Sequence, residues 1–213
     1  MESFEQFVAL AMETEGLVVS SAVKFPVPRP TRKARYAEVQ THGYEVDLVG
    51  ARSDRLVLAT VKSFFGSRGV VAEDVTGAGG NERSGRLYAL LNDADLRDAV
   101  TRAAARRYGY DSRQVVLRLY VGKFAAPVAG THEKAIRAWC AKQKAGGGPI
   151  EFYGIKDILD AVVGASRLKT YRDNPVLVTM KVLAAAGYQR LPQEGNSPGP
   201  LAPTQKGPDV EKR

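Results

Sequence analysis

Two short alternating runs, set one tight turn apart, constrain this chain more than any other feature. The first is Tyr44-Glu45-Val46-Asp47-Leu48-Val49-Gly50 and the second is Leu56-Val57-Leu58-Ala59-Thr60-Val61-Lys62. Both are rich in aliphatic and β-branched residues, and Arg52-Ser53-Asp54 between them is polar. The pair therefore reads as a β-hairpin, with strands over residues 44–50 and 56–64. Successive side chains of a strand point to opposite faces. Val46 and Leu48 are expected on one face of the first strand, and Glu45 and Asp47 on the other. In the second strand Val57, Ala59 and Val61 share one face, with Thr60 and Lys62 on the opposite one. With the turn centred near Ser53-Asp54, Asp47 lies across from Thr60 and diagonal to Lys62. Neighbours of that kind are within reach of one small ion.

Around this hairpin the pattern alternates. Phe4, Phe7, Val8 and Ala11 at helical spacing predict a helix over 3–15, stopped by Gly16. Residues 17–25 read as extended, and Pro26, Pro28 and Pro30 are expected to break regularity. The Gly-rich stretch 66–85 reads as irregular. A helix follows over 94–108, with Asp93 or Asp95 as cap and Arg102, Arg106 and Arg107 toward its C-terminus. Then come a buried strand over 115–121, a helix over 133–144 ended by Gly146 to Gly148, and a strand over 150–153. Helices over 156–163 and 176–186 close the series, the last with Asn174 as cap and Pro175 in its first turn. The order αβββαβαβαα predicts an α/β fold with a mixed four- to five-stranded sheet flanked by helices.

Residues 1–191 read as one domain, and 192–213 as a disordered tail with five of the eleven prolines and no aromatic residue. Net charge is +8, from 31 Lys+Arg against 23 Asp+Glu. The tail holds three charges of each sign, so the whole excess falls on the domain, as a polyanion binder needs. One cysteine, Cys140, excludes an internal disulfide framework, and with only His42 and His132 beside it there is no Cys/His zinc cluster. No run of 18 apolar residues offers a membrane span, and the acidic start Met1-Glu2-Ser3-Phe4-Glu5 lacks the layout of a signal peptide. A reducing cytoplasm is the expected home. The sequence leaves the oligomeric state open, a homodimer included.

Asp47 on one strand and Thr60-Val61-Lys62 on the next resemble the motif of the restriction-endonuclease-like PD-(D/E)XK superfamily, in which an aspartate precedes an acid-X-lysine triplet. The element order αβββαβ over residues 3–121 is similar to that family's, and the stretch to about 165 looks like the second half of its Mrr-like branch. The resemblance implies a restriction-endonuclease-like sheet, double-stranded DNA as partner, and Mg2+ or Mn2+ as cofactor. A hard cation held by carboxylates would activate water and offset charge on the phosphorane. By that resemblance Asp47 is a metal ligand, the main-chain carbonyl near Val61 completes the shell, and Lys62 is the catalytic lysine. The triplet's acid is Thr60 here, which removes one formal charge from the site. Glu45, on the face of Asp47, is one candidate replacement; Glu13 or Glu15 at the end of the first helix is another.

Other features bear on the partner. Arg29, Arg32, Lys33 and Arg35 lie on a Pro-rich connector suited to DNA phosphates, and Arg68 sits in a glycine-flanked loop, Phe64 to Gly69, just after the lysine. The loop over 77–85 lacks the Gly-Lys-Ser/Thr of a phosphate-binding loop. His132 is expected at the surface and Cys140 in packing. Three functions compete: a Mg2+-dependent endonuclease, an inactive nuclease-fold module that binds DNA or regulates, and a generic α/β protein whose basic surface meets RNA or an acidic partner.

Overall fold

A computed structural model describes residues 2–30, 39–169 and 172–188, and of Arg29, Pro30 and Val39 only the backbone. The chain is α/β. A first helix, α1 (Ser3–Thr14), precedes three strands, β1 (Val18–Pro30), β2 (Val39–Arg52) and β3 (Arg55–Lys62). Three short helices follow, α2 (Ala72–Thr76), α3 (Glu82–Leu87) and α4 (Ala89–Asn92), then the long α5 (Ala94–Tyr108). After β4 (Val115–Val121) come α6 (Ala129–Cys140), a two-residue strand pair, β5 (Lys144–Ala145) and β6 (Gly148–Pro149), and then β7 (Glu151–Tyr153). Helices α7 (Ile155–Ser166) and α8 (Pro175–Ala185) complete the order.

Five strands form one mixed sheet in the order β1-β2-β3-β4-β7. The first three are antiparallel, and β3, β4 and β7 run parallel. Side-chain caps start several of the helices: Asn81 Oδ1 accepts from Arg83 N–H at 2.9 Å at α3, the Asp93 carboxylate from Leu96 N–H at 3.0 Å at α5, and Asn174 Oδ1 from Val176 and Leu177 N–H at α8.

Several expectations need correction. The prolines do not end β1, which runs on to Pro30. Pro26, Pro28 and Pro30 recur every second residue, so their missing N–H groups all fall on one edge of an edge strand, where no partner needs them. The Gly-rich stretch is not irregular throughout, because α2 forms within it and α3 begins there. Gly146 to Gly148 do not stop a helix, since α6 ends at Cys140. Gly147 N–H instead donates to Val115 O at 2.9 Å, and a Cβ there would lie 1.8 Å from Arg113 O. That close approach is what requires glycine.

The sheet separates two apolar layers. On one side Phe25, Val46, Val49, Leu58, Leu117 and Leu119 pack with α4, α5 and α6. On the other, Leu48, Val57, Ala59 and Tyr120 pack with α1, α7 and α8. Strand β3 alternates regularly between them, but β1 and β2 do not. Val19 and Leu48 face the α1 layer, whereas Val23 and Val46, an even number of residues away, face the α5 layer. Val46 and Leu48 therefore do not share a face, contrary to the period-two reading. The break lies at Ala22, which adopts a left-handed φ of 53°, and at Asp47 opposite it; pairing keeps one register on either side, Ser21 with Leu48 and Val23 with Val46. A non-glycine residue in that region costs roughly 1–2 kcal/mol. The twist lets Phe25 and Val27 of the outer hairpin lie buried in the α5 layer.

Candidate functional site

The break coincides with a fork in the sheet. Strand β2 pairs with β3 only from Leu48 to Arg52; from Asp47 back to Val39 it is accompanied by β1 alone. The residues of β3 beyond Ala59 are left without the ladder bonds that β2 would supply. The Asp47 side chain fills that gap. Its Oδ2 accepts from Val61 N–H at 2.7 Å and from the Thr60 hydroxyl at 3.2 Å. Lys62 Nζ stands 4.0 Å from the same oxygen and 5.9 Å from the ring centroid of Tyr88, a buried residue at the start of α4. Burial pushes the Tyr88 hydroxyl well above its ordinary range, with Asp74 adding to the effect, so it is a neutral wall of the site.

Asp47, Thr60, Val61 and Lys62 are thus brought together. Glu45 is not among them. The change of face at Asp47 separates the two acids, and Glu45, exposed, pairs across the hairpin with Lys24 at 3.6 Å. Glu15 is engaged elsewhere, by Arg118 at 2.8 and 2.9 Å, and Glu13 pairs with Arg172 at 2.7 Å. Arg68 is exposed, with its guanidinium 3.8 Å from Asp74. The side chain of Arg29 and the whole of Arg32, Lys33 and Arg35 lie outside the described residues, as does the tail over 192–213.

Two further placements follow from burial. His132 is not a surface residue: its side chain is largely buried and Nδ1 accepts from Ala72 N–H at 3.3 Å, tying α6 to α2. Cys140 is fully buried, and burial pushes its thiol up to about 12, which suits packing and not nucleophilic chemistry.

Sequence reasoning missed Glu5. It lies in the first turn of α1, the opposite end of that helix from Glu13 and Glu15, and its carboxyl is raised from the ordinary value by burial and then by the charge of Asp47. Its Oε2 accepts from Glu2 N–H at 3.0 Å in a capping box. The capping spacing is visible in the sequence; its nearness to Asp47 depends on which end of α1 meets the fork. Arg118 was also missed as a polar centre. It looks like one charge in an apolar strand, yet it is 1 % exposed.

The donor set does not fit a hard divalent cation. Such an ion needs several oxygen ligands with at least one or two carboxylates free to bind it. The fork offers one carboxylate, one hydroxyl and an ammonium group, and Asp47 Oδ2 already receives two hydrogen bonds. Among the described residues no three of His, Cys, Asp and Glu gather in a metal-holding arrangement. No helix among them is long and apolar enough to cross a membrane. No protein-family model matches the chain, and neither curated proteins nor solved structures provide a match.

Proposed function

We propose that the chain is a DNA-binding module of restriction-endonuclease-like fold whose hydrolytic site has become an internal brace. The observation that carries this reading is the engagement of Asp47. Where a nuclease would keep the aspartate free for a cation, Asp47 Oδ2 closes the fork through Val61 N–H, with Thr60 and Lys62 beside it. The αβββ start, the aspartate at the point where two strands part, and the lysine two residues after Thr60 support descent from that fold. The charge excess of +8, all of it outside the neutral tail, supports a polyanionic partner. One observation favours the second reading, a Mg2+-dependent endonuclease. Glu5 is close enough to Asp47 for its carboxyl to feel that charge, and together they would supply two carboxylates.

Duplex binding, followed by fluorescence anisotropy at rising salt, tests the first reading. Affinity should fall steeply with salt, because each neutralised phosphate releases counterions. Plasmid incubated with Mg2+ and then Mn2+ should stay intact with the wild type. Binding that is flat in salt, or absent, overturns the DNA reading. Cleavage by the wild type that is lost in Asp47→Asn establishes the nuclease instead.

A further inference from the structure

Of the two phenylalanines that follow Lys62, only one is used by the core. Phe64 packs against the α5 layer, whereas Phe65 is 53 % exposed. Its position is imposed by the backbone. Phe64 adopts a left-handed φ of 51°, costly for a non-glycine residue, and the chain thereby turns Phe65 outward. Its ring meets Phe4 nearly perpendicularly, with centroids 5.1 Å apart, and its tip rests on Gly122, where a Cβ would come within 2.8 Å of it.

The loop that carries Phe65 is pinned. Gly122 N–H donates to Lys62 O at 2.9 Å, Val70 N–H to Lys123 O at 2.9 Å, and Ala125 N–H to Val70 O at 3.0 Å. Within the loop Ser67 N–H donates to Phe64 O at 3.2 Å, and Lys123 Nζ reaches across to Ser67 O at 2.7 Å. Gly69, at φ 104°, lies so close to Phe124 that a Cβ would sit 2.5 Å from its carbonyl carbon. A half-exposed aromatic ring on a loop held in this way is already ordered, so little freedom is lost when something stacks on it. The loop leaves the C-terminal end of β3 beside that of β4, the end of a parallel pair where open α/β sheets bind ligands. Lys123 and the exposed Arg68 flank it, and the Asp47 fork adjoins it through Lys62.

We infer that Phe65 is a stacking platform for an unpaired base of DNA, with Lys123 and Arg68 beside it for the adjoining phosphates. Aromatic rings accept any base on their face, and cations alongside follow the backbone. The inference rests on the DNA-binding reading and deepens it, because it names the form of DNA that the fork region contacts.

The test uses the full chain and two probes, a single-stranded oligothymidine and a fully paired duplex. Phe65→Ala should weaken binding to the single strand by roughly ten- to hundredfold and leave duplex affinity nearly unchanged. Phe65→Trp should restore single-strand affinity, and its tryptophan emission should be quenched by oligothymidine beyond any change of Trp139 in the wild type. Thermal unfolding of each variant checks that the Phe4 contact has not been lost with the fold. Equal single-strand affinity of wild type and Phe65→Ala, or unquenched Phe65→Trp, overturns the stacking role while duplex binding leaves the wider reading in place. No binding of either probe by the wild type overturns both.

Discussion

Two ionic clusters lie on neighbouring strands and face opposite layers. The Asp47 fork is on the α5 side of β3, since Thr60 and Lys62 follow Leu58 at even spacing. Arg118 of β4 is on the α1 side, two residues before Tyr120. Their chemistry differs as much as their position. Every nitrogen of the Arg118 guanidinium has a partner: Nε donates to Glu151 at 2.6 Å, Nη2 to Glu15 at 2.9 Å, and Nη1 to Glu15 at 2.8 Å and to the Tyr120 hydroxyl at 3.1 Å. Burial alone would lower the Arg118 pKa, but the bond to Glu15 and the neighbouring groups more than reverse it, and the net shift is upward. The fork has a charge pair at 4.0 Å with no hydrogen bond between the partners, and Asp47 keeps over a quarter of its side chain in water. The closed cluster joins the end of α1 to β4 and β7; the looser one links β2 to β3. Completeness of hydrogen bonding thus separates a cluster whose charge is fully satisfied from one held by fewer and longer contacts.

The largest expected effect lies in the closed cluster. Arg118→Leu should destabilise by about 3 kcal/mol, with Glu15 and Glu151, each about one-third exposed, recovering part of their hydration. Lys62→Leu should change stability by about 1 kcal/mol or less, as expected of a pair with no direct bond. Urea unfolding of both variants measures the contrast, and equal losses would break it.

The fork carries a subtler internal contrast. Asp47→Ala leaves Val61 N–H without its 2.7 Å acceptor in a part-buried position, for an expected loss of about 1–3 kcal/mol. Asp47→Asn should lose less, because an amide oxygen still accepts from that N–H. If the two variants unfold at the same urea concentration, Asp47 serves the sheet through its charge and not as a brace. Thr60→Glu places a second carboxylate beside Asp47 and should lower stability by like-charge repulsion, an effect that added Mg2+ would relieve if the wider site could still take the ion.

What was legible in the sequence follows one physical distinction. The hairpin turn, the five main strands, α5 with its Asp93 cap and α8 with its Asn174 cap are all written in local pattern. So is the facing of Asp47 toward Thr60, which needs only a turn at Ser53-Asp54. The change of face between Val46 and Leu48 was not legible. It depends on Ala22, a residue of a different strand with no intrinsic preference for positive φ. The removal of Glu45 from the fork is its consequence. The length of β1 was obscured by prolines whose tolerance depends on being at an edge, which only the assembled sheet decides. Arg118 and Glu5 were obscured for a similar reason. Their partners Glu15, Glu151 and Asp47 come from other elements, and no local spacing announces them.

The smallest effect concerns Glu5. Burial raises the Glu5 carboxyl and the charge of Asp47 raises it further, against a lowering by Glu2 N–H. A carboxyl raised on folding favours the folded state below the carboxylate range, and that contribution is lost as pH rises through its folded pKa. At neutral pH the ionised Glu5 therefore opposes folding slightly. Glu5→Gln removes the charge but keeps an oxygen for the bond from Glu2 N–H. The variant should be more stable at neutral pH by under about 0.5 kcal/mol, since Glu5 is only partly withdrawn from water and screening is substantial. The gain should fade as pH falls through the carboxylate range, where wild-type Glu5 becomes neutral too. In an Asp47→Asn background part of it should vanish at neutral pH, because one of the two raising causes has gone. A double-mutant cycle of urea midpoints reads that coupling directly. Strictly additive substitutions would mean that Glu5 and Asp47 do not sense each other, and would remove the pairing on which a two-carboxylate nuclease site depends.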